Sequence, residues 1–560
     1  MEKHTLALQL SHLLGEEFSR DWVYSLIEIP KQEKLGDIAF PCFQLAQSFR
    51  QSPAKIAAQL APRLQHDLFV SVQPNGGYIN IFLNQRVLTE QTLKQILTES
   101  TDYGSHQVGA NQNVVLDMSA PNIAKPFSMG HLRSTVIGNA LANLAEKCGY
   151  DTIKINYIGD YGTQFGKLLA AYQHWGDEEQ IRTNPIPELT KIYVKFHEES
   201  AHDPSLVEEG RHWFKKLEQN DAEAVKLWKW FKEASLEEFN KIYDLLGVTF
   251  DLTRGEAYYN DKMDSTVQLL KEKGLLTDSD GAKVVRLDDE GLPPCLIKKS
   301  NGTTIYATRD LTAAMDRYNS YRFNEALYVV GHEQTLHFQQ IKHVLTKLNL
   351  PWAQDVKHIP FGMMLQNGSK MSTRKGKTIL LAEVLGEAID QAKANIEVKN
   401  PSLAHKNEVA KQVGVGAVIF HDLKHDRRND VEFSLQDMLT FEGDTAPYLQ
   451  YAYVRAQSIL EKGEFVLEDA EVSLDDPKAW TVVKQLRLFP ELVKRAYSEY
   501  DPSKIARYLL DLAKAFNKYY AGTKILQKEQ LHARLTLVHS FSVVLKEGLC
   551  LLGIQAPKKM

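Results

Sequence analysis

The sequence predicts an α/β protein of several domains: a parallel-sheet domain with insertions, a smaller α/β domain before it and an all-α region after it. Three observations carry this. The chain has 560 residues, which at roughly 150 per domain means about three or four domains. Two short apolar runs, Val114-Val115-Leu116 and Leu327-Tyr328-Val329-Val330, each pass through a turn into a helical apolar stripe, the pattern of βαβ units. Beyond about residue 380 the periodicity is helical to the end.

In chain order, residues 1–105 read as the small α/β domain. Leu6, Leu8, Leu10, Leu13 and Leu14 give helical spacing, and Tyr78 to Leu83 form a strand punctuated at its start by Gly76-Gly77. The main sheet domain, 106–380, opens with the strand at Val114, the turn Ser119-Ala120-Pro121-Asn122 and a helix from about Gly130 to Cys148 closed by Gly149. Thr152 to Tyr157 alternate as the next strand, so a ligand site is expected beyond the carboxyl end of the first strand. Residues from about 165 to 300 read as a mainly helical insertion. The second strand-turn-helix runs through Gly331-His332-Glu333-Gln334. Residues 381–440 form a helical connection and 441–560 a helical domain.

Hydrophobic residues at 43% and charged residues at 24% exclude disordered, collagenous and disulfide-scaffold classes. Cys42, Cys148, Cys295 and Cys550 lie far apart and none belongs to a C-x-x-C pair, which implies free thiols in a reducing compartment. The first residues lack a basic segment followed by an apolar run, and no apolar stretch has the length of a membrane span, so a cytoplasmic protein without membrane contact is expected. A net charge of −5 argues at first against a nucleic-acid partner. The charge is uneven, however. Residues 477–560 contain 15 basic and 6 acidic side chains, whereas 441–476 contain 2 basic and 9 acidic. Lys504, Arg507, Lys514 and Lys518 interleave there with Tyr497, Tyr500, Tyr508, Phe516, Tyr519 and Tyr520. Cations beside stackable rings suit RNA binding; a solvated face over an aromatic core is the other reading.

Two segments carry chemistry. Ala124-Lys125-Pro126-Phe127-Ser128-Met129-Gly130-His131-Leu132-Arg133 sits at a strand-to-helix turn, where Gly130 permits close approach, the helix start offers free N–H groups and three cationic or imidazole side chains can meet a phosphate. Asn367-Gly368-Ser369-Lys370-Met371-Ser372-Thr373-Arg374-Lys375-Gly376-Lys377 gathers cations, hydroxyls and glycines into a phosphate-binding loop. Neither Walker A nor the dinucleotide fingerprint is present.

Together the two segments resemble the HIGH and KMSKS signatures of class I aminoacyl-tRNA synthetases. The run from Ser119 to Asn139, and Asn156-Tyr157-Ile158-Gly159-Asp160-Tyr161-Gly162-Thr163-Gln164-Phe165-Gly166, are very similar to arginyl-tRNA synthetases in particular. Asp444-Thr445-Ala446-Pro447-Tyr448-Leu449-Gln450-Tyr451-Ala452 with Arg455 resembles the opening of that family's anticodon-binding domain. The resemblance spans essentially the whole chain. It departs from the general class I pattern at Ser128, where HIGH has its first histidine, and at Thr373, where KMSKS has its second lysine.

The resemblance implies a Rossmann-like class I catalytic domain and a reaction in which L-arginine and ATP form arginyl-adenylate with tRNA bound, after which arginine passes to the terminal adenosine of tRNA(Arg). His131, Lys125, Lys370 and Arg374 are then the catalytic cations and donors, with Lys125 supplying charge lost at Ser128. ATP contacts fall on Ser128, Gly130, His131, Gly331, Met363, Met364, Lys370, Met371 and Ser372, with Mg²⁺ accompanying ATP. Arginine contacts fall on Asp117, Ser119, Asn122, Tyr306, Asp310 and Gln334. Of these, Tyr306 and Asp310 meet the guanidinium, which calls for a carboxylate. Tyr78 and Asn80 match the family's D-loop contact, and Tyr448, Gln450 and Arg455 its anticodon side. No structural metal or zinc is expected, because the histidine spacings offer no ligand set, and a monomer is expected. The competing readings are a class I synthetase for another amino acid, a smaller nucleotidyltransferase and a non-catalytic tRNA-binding paralogue.

Overall fold

The computed structural model describes residues 2–300, 305–370 and 380–560. The chain divides into two compact units, one made of 1–103, 458–487 and 515–543, the other of 104–457, 488–514 and 544–560.

In the first unit, β1 (Ile38–Pro41), β2 (Phe69–Asn75) and β3 (Tyr78–Leu83) form an antiparallel sheet with β3 central. Helix α1 (Glu2–Leu14) buries Leu6, Ala7, Leu10 and Leu14, an i, i+4, i+8 stripe. Leu8, which the sequence grouped with that stripe, faces solvent. The helix α2 (Gln85–Glu99) starts where the Asn84 side chain accepts the Val87 N–H. In this unit's C-terminal segments Phe516 and Phe541 stack with centroids 3.8 Å apart.

The second unit is built on a five-stranded, all-parallel sheet. Its strands are β4 (Asn113–Asp117), β5 (Asp151–Asn156), β6 (Leu252–Thr253), β10 (Glu325–Gly331) and β11 (Val356–Phe361), in the order β11-β10-β4-β5-β6. Parallel strands covered on both faces need continuous apolar runs, and Val114, Val115 and Leu116 are all buried. The chain leaves β4 toward β5 on one side and returns to β10 on the other. The strand order therefore switches between β4 and β10, where a crevice opens at the carboxyl ends.

Helix α3 (Met129–Lys147) follows β4 and is buried at nearly every position from Leu132 to Ala145. The insertion supplies α4 (Thr163–Trp175), α5 (Pro185–Ser200), α6 (Ser205–Glu218) and α7 (Ala222–Leu246). The last is capped by Asp221, which accepts from the Glu223 and Ala224 N–H groups, and it ends at Gly247 with φ 68°. The expectation of a mainly helical insertion needs one amendment: β7 (Leu276–Ser279), β8 (Ala282–Val285) and β9 (Cys295–Lys298) form an antiparallel sheet, and Val285, Cys295 and Ile297 join the main core.

Helices α8 (Tyr306–Tyr321) and α9 (Thr335–Lys347) flank β10, and a small sheet of β12 (Met364–Gln366), β13 (Ser369–Lys370) and β14 (Val431–Glu432) follows β11. Helices α10 (Leu381–Lys399), α11 (Lys406–Leu423), α12 (Ala446–Lys462), α13 (Trp480–Ser498), α14 (Ser503–Gly522) and α15 (Leu531–Leu551) complete the chain. No described helix is long and apolar enough to cross a membrane.

Candidate active site

The turn leaving β4 is under backbone strain. Ser119, Ala120 and Ala124 have φ of 73°, 51° and 56°, a region that costs a residue with a Cβ roughly 1–3 kcal/mol. Two elements hold it, the turn after β5 and helix α7. Gly159, after β5, donates its N–H to the Pro121 carbonyl at 3.0 Å and accepts from the Ile123 N–H at 3.1 Å. A Cβ there would collide with the Asn122 amide oxygen, so any other residue has to displace that side chain. The second is α7, whose Trp228, Lys232, Ser235 and Tyr243 lie on one face. Ser235 Oγ accepts the Ala124 N–H at 3.0 Å, and Tyr243 OH bonds Ser119 Oγ at 2.8 Å. Lys232 reaches the Asp160 carboxylate at 2.7 Å, while the Trp228 indole donates to the Asp160 carbonyl at 2.7 Å.

Ser128 caps α3. Its N–H donates to His131 Nδ1 at 3.1 Å, and its hydroxyl lies 3.2 Å from the same atom. Burial, reinforced by Lys125, lowers the His131 pKa to about 4. The imidazole is neutral at pH 7 with Nδ1 accepting, so Nε2 carries the hydrogen and presents a donor. Gly130 is exposed, and a Cβ on it would meet only Ser128 Oγ, at 3.7 Å. The site at the start of α3 thus combines open backbone, the half-buried Lys125 and one oriented N–H.

Across the crevice, the segment after β11 is fixed from both sides. The Met363 N–H donates to Asp430 Oδ1 at 2.6 Å and its carbonyl accepts from the Val431 N–H at 2.9 Å. Met364 is buried and Met363 half-buried. His332 Nδ1 lies 3.1 Å from the Phe361 carbonyl, joining the ends of β10 and β11. Arg133, on α3, is fully buried; it donates to the carbonyls of Asn429 at 2.9 Å and Arg427 at 3.2 Å. Gly331 closes β10, half-buried, and Gln334 is exposed just beyond it.

A second cluster lies between α8 and α9. Asp310 accepts from the Tyr157 hydroxyl at 3.3 Å through Oδ1 and from His337 Nε2 at 2.7 Å through Oδ2. The Tyr306 ring, 60% exposed, sits 4.9 Å from the His337 ring. Behind it, Asp117 pairs with Arg317 at 2.7 Å, and Arg317 lies over the rings of Tyr157 and Tyr328. Burial raises the Asp117 pKa against the pull of Arg317, and it raises Glu256 to about 7 although Arg309 opposes it.

Asp117 ends β4, Gly331 ends β10, Ser119, Asn122, Lys125 and Ser128 lie in the turn between β4 and α3, Gly130 and His131 open α3, Met363 and Met364 follow β11, Tyr306 and Asp310 lie on α8, and Gln334 just precedes α9. Met371, Ser372 and Arg374 lie outside the described residues, and Lys370 ends β13. Among the tRNA expectations, Gln450 needs correcting: its side chain is fully buried and donates to the carbonyls of Gln412 at 3.1 Å and Gln555 at 2.7 Å, so it presents nothing to RNA. Asn80 is also buried, whereas Tyr78 is half-buried beside the exposed Phe43 at 5.2 Å. Arg455 lies over the Tyr451 ring at 4.9 Å, and the Tyr448 N–H meets Thr445 Oγ1 at 3.3 Å. Of the stackable rings, Tyr497, Tyr508, Phe516 and Tyr519 are core residues, and Tyr520 is exposed. Tyr157, Ser235, Tyr243, Arg317 and His337 were given no role at the site by the sequence.

Residues 92–435 match the family model of the class I (R) tRNA synthetase catalytic domain, 449–560 that of the DALR anticodon binding domain and 3–83 that of the arginyl-tRNA synthetase N-terminal domain. Similar proteins include arginine–tRNA ligase 2 of Bacillus anthracis, 54% identical over 559 residues and 100% of both chains, and arginine–tRNA ligase of Enterococcus faecalis, 51% identical over 560 residues and 100% of both. The solved Thermus thermophilus arginyl-tRNA synthetase superposes with a TM-score of 0.83 at 26% identity, covering 100% of both chains.

Proposed function

The chain belongs to the arginyl-tRNA synthetases of class I, ligating arginine to tRNA with ATP, and from that premise we propose how its own residues divide the work. The arginine carboxylate attacks the α-phosphorus of ATP; the bond to the bridging oxygen breaks and pyrophosphate leaves. A ribose hydroxyl of the tRNA terminal adenosine then attacks the carbonyl carbon, AMP departs, and the hydroxyl proton passes to phosphate or water. A carboxylate needs no general base, so the first step depends on positioning and charge.

His131 donates Nε2–H to an α-phosphate oxygen, and Lys125 adds the cation that Ser128 does not supply. Lys370 and Arg374 serve the departing pyrophosphate. Gly130 leaves the phosphates room, with Ser128, Gly331, Met371 and Ser372 along the nucleotide. Met363 and Met364 line the adenine side as a fixed surface, since the Met363 main-chain groups are already engaged. Asp117, Ser119, Asn122 and Gln334 take the α-amino and carboxylate end of arginine, and Tyr306 and Asp310 the guanidinium. Mg²⁺ enters with ATP. The residues at the start of α3 are a lysine and a neutral imidazole, which suit phosphate oxygens and not the ion, so no step runs through it.

We assign the tRNA to both ends of the chain: 1–105 with Tyr78 to the D-loop, and 441–560 with Tyr448 and Arg455 to the anticodon arm, joined to the catalytic domain 106–380 through 381–440. Adenylate formation is read as requiring bound tRNA.

The observation that carries this reading is the hydrogen bond from the Ser128 N–H to His131 Nδ1, which leaves the imidazole hydrogen on Nε2, with the Lys125 cation near enough to act on the ring. Arginine-dependent pyrophosphate exchange, with and without tRNA, tests it in the parent and in His131→Ala. Exchange is expected only with arginine and tRNA present, and a loss of about 10²–10³-fold is expected in the variant. Unchanged exchange in His131→Ala would reject the assignment.

A further inference from the structure

We infer that His337 is a positioning residue for arginine selection, an inference that rests on reading Asp310 and Tyr306 as the guanidinium site. His337 lies in the first turn of α9, and its side chain is 9% exposed. A carboxylate only accepts, so the 2.7 Å contact between Nε2 and Asp310 Oδ2 requires the hydrogen on Nε2. Tyr157 donates to the other oxygen at 3.3 Å. Each carboxylate oxygen has two lone pairs, and each now has one in use. Among the described residues one acceptor position per oxygen is left, the number that a planar guanidinium needs for a two-pronged contact.

Two donors on opposite oxygens also stop the carboxyl group rotating. The imidazole is itself wedged: its ring meets Tyr306 at 4.9 Å and Phe338 at 5.3 Å, and Phe338 stacks on His358 at 4.7 Å. One side chain therefore sets both Asp310 and the Tyr306 ring. An oriented carboxylate favours a forked cation over a point charge, since an ammonium gains little from fixed acceptor directions. His337 separates arginine from lysine by orientation, not by charge.

The test uses the full chain in tRNA-dependent pyrophosphate exchange. His337→Leu is expected to raise the KM for arginine about tenfold to a hundredfold, the scale of a lost hydrogen bond to a charged group. The KM for ATP and the inhibition constant of L-lysine should stay within about twofold. His337→Gln, which keeps an N–H near the same place, is expected to recover most of the arginine KM. An arginine KM that does not move in His337→Leu, or an ATP KM that rises with it, would overturn the inference. Asp310→Asn separates the two levels. If it leaves the arginine KM unchanged, the guanidinium reading fails; if it raises the KM while His337→Leu does not, only the role of His337 fails.

Discussion

Arg133 and Asp422 form an ion pair at 2.7 Å in which neither side chain is exposed. Arg133 sits on α3 two residues after His131, and its remaining donors hold the carbonyls of Asn429 and Arg427. That loop in turn fixes Met363 through Asp430 and Val431. One buried guanidinium thus joins the start of α3 to the segment after β11, the proposed phosphate and adenine sides. Removing one member strands a charge in the interior, whereas replacing both by apolar groups removes the desolvation penalty as well. Arg133→Met is expected to cost about 3–5 kcal/mol in urea unfolding, and Arg133→Met with Asp422→Leu distinctly less. In both, the KM for ATP should rise more than that for arginine. A double variant as unstable as the sum of the singles would refute the coupling.

His131 gives the stability of the chain a pH dependence of known sign. Its folded pKa, about 4, lies below the ordinary 6.5. Between those values the unfolded chain binds more protons than the folded one, so stability falls as pH drops from 6.5 toward 4. His131→Gln has no such group. The parent should lose on the order of 1–3 kcal/mol more than the variant between pH 7 and pH 4.5 in matched denaturant titrations, since a shift of one unit is worth about 1.4 kcal/mol. Parallel losses would show that the imidazole is not held neutral.

Gly159 allows the turn after β5 to lie against the turn after β4. Gly159→Ala forces the Asn122 amide away, shifting a residue assigned to the arginine carboxylate end. Overpacking of this kind costs about 1–3 kcal/mol. A misplacement near an ångström costs about 10²-fold in rate, so kcat/KM for arginine should fall much further than the unfolding midpoint. A variant with full activity would mean that the two turns can part without consequence.

These couplings mark where the sequence stops being readable. Val114 to Leu116, the apolar stripe of α3 and the position of His131 were legible because each is set by neighbours within a few residues. The Arg133–Asp422 pair was not, because its partners lie on helices separated by most of the chain and nothing local in a basic residue says whether it faces water. The same limit explains the aromatic stretch near the C-terminus. Helical spacing places Tyr508, Phe516 and Tyr519 near lysines in sequence while the helix turns the rings inward and the charges outward. Gln450 carried a family pattern, yet its amide closes an internal contact. Tyr157 sat inside a motif read only for its family resemblance, so its hydroxyl attracted no role. Tyr306 and Asp310, four apart, were recoverable as one face of α8, but His337 comes from another helix and only packing brings it there.

Ser235 is fully buried on α7 and accepts the Ala124 N–H at 3.0 Å. Ala124 holds a φ of 56°, a conformation that an alanine keeps only when its surroundings impose it. Its neighbour is Lys125. Ser235→Ala leaves that N–H buried without an acceptor, a cost of about 1–3 kcal/mol, and releases the turn from the insertion helix. The strain can then relax by moving Lys125 away from the proposed phosphate position, so kcat for pyrophosphate exchange should fall by a larger factor than the KM for arginine rises, since Asp310 and Tyr306, the proposed guanidinium contacts, lie on α8 and not on this turn. Single-turnover measurement of adenylate formation in the presence of tRNA separates the two quantities. A variant that loses stability without losing rate would show that Ser235 supports the fold alone, and that Lys125 reaches the phosphates whatever the backbone before it does.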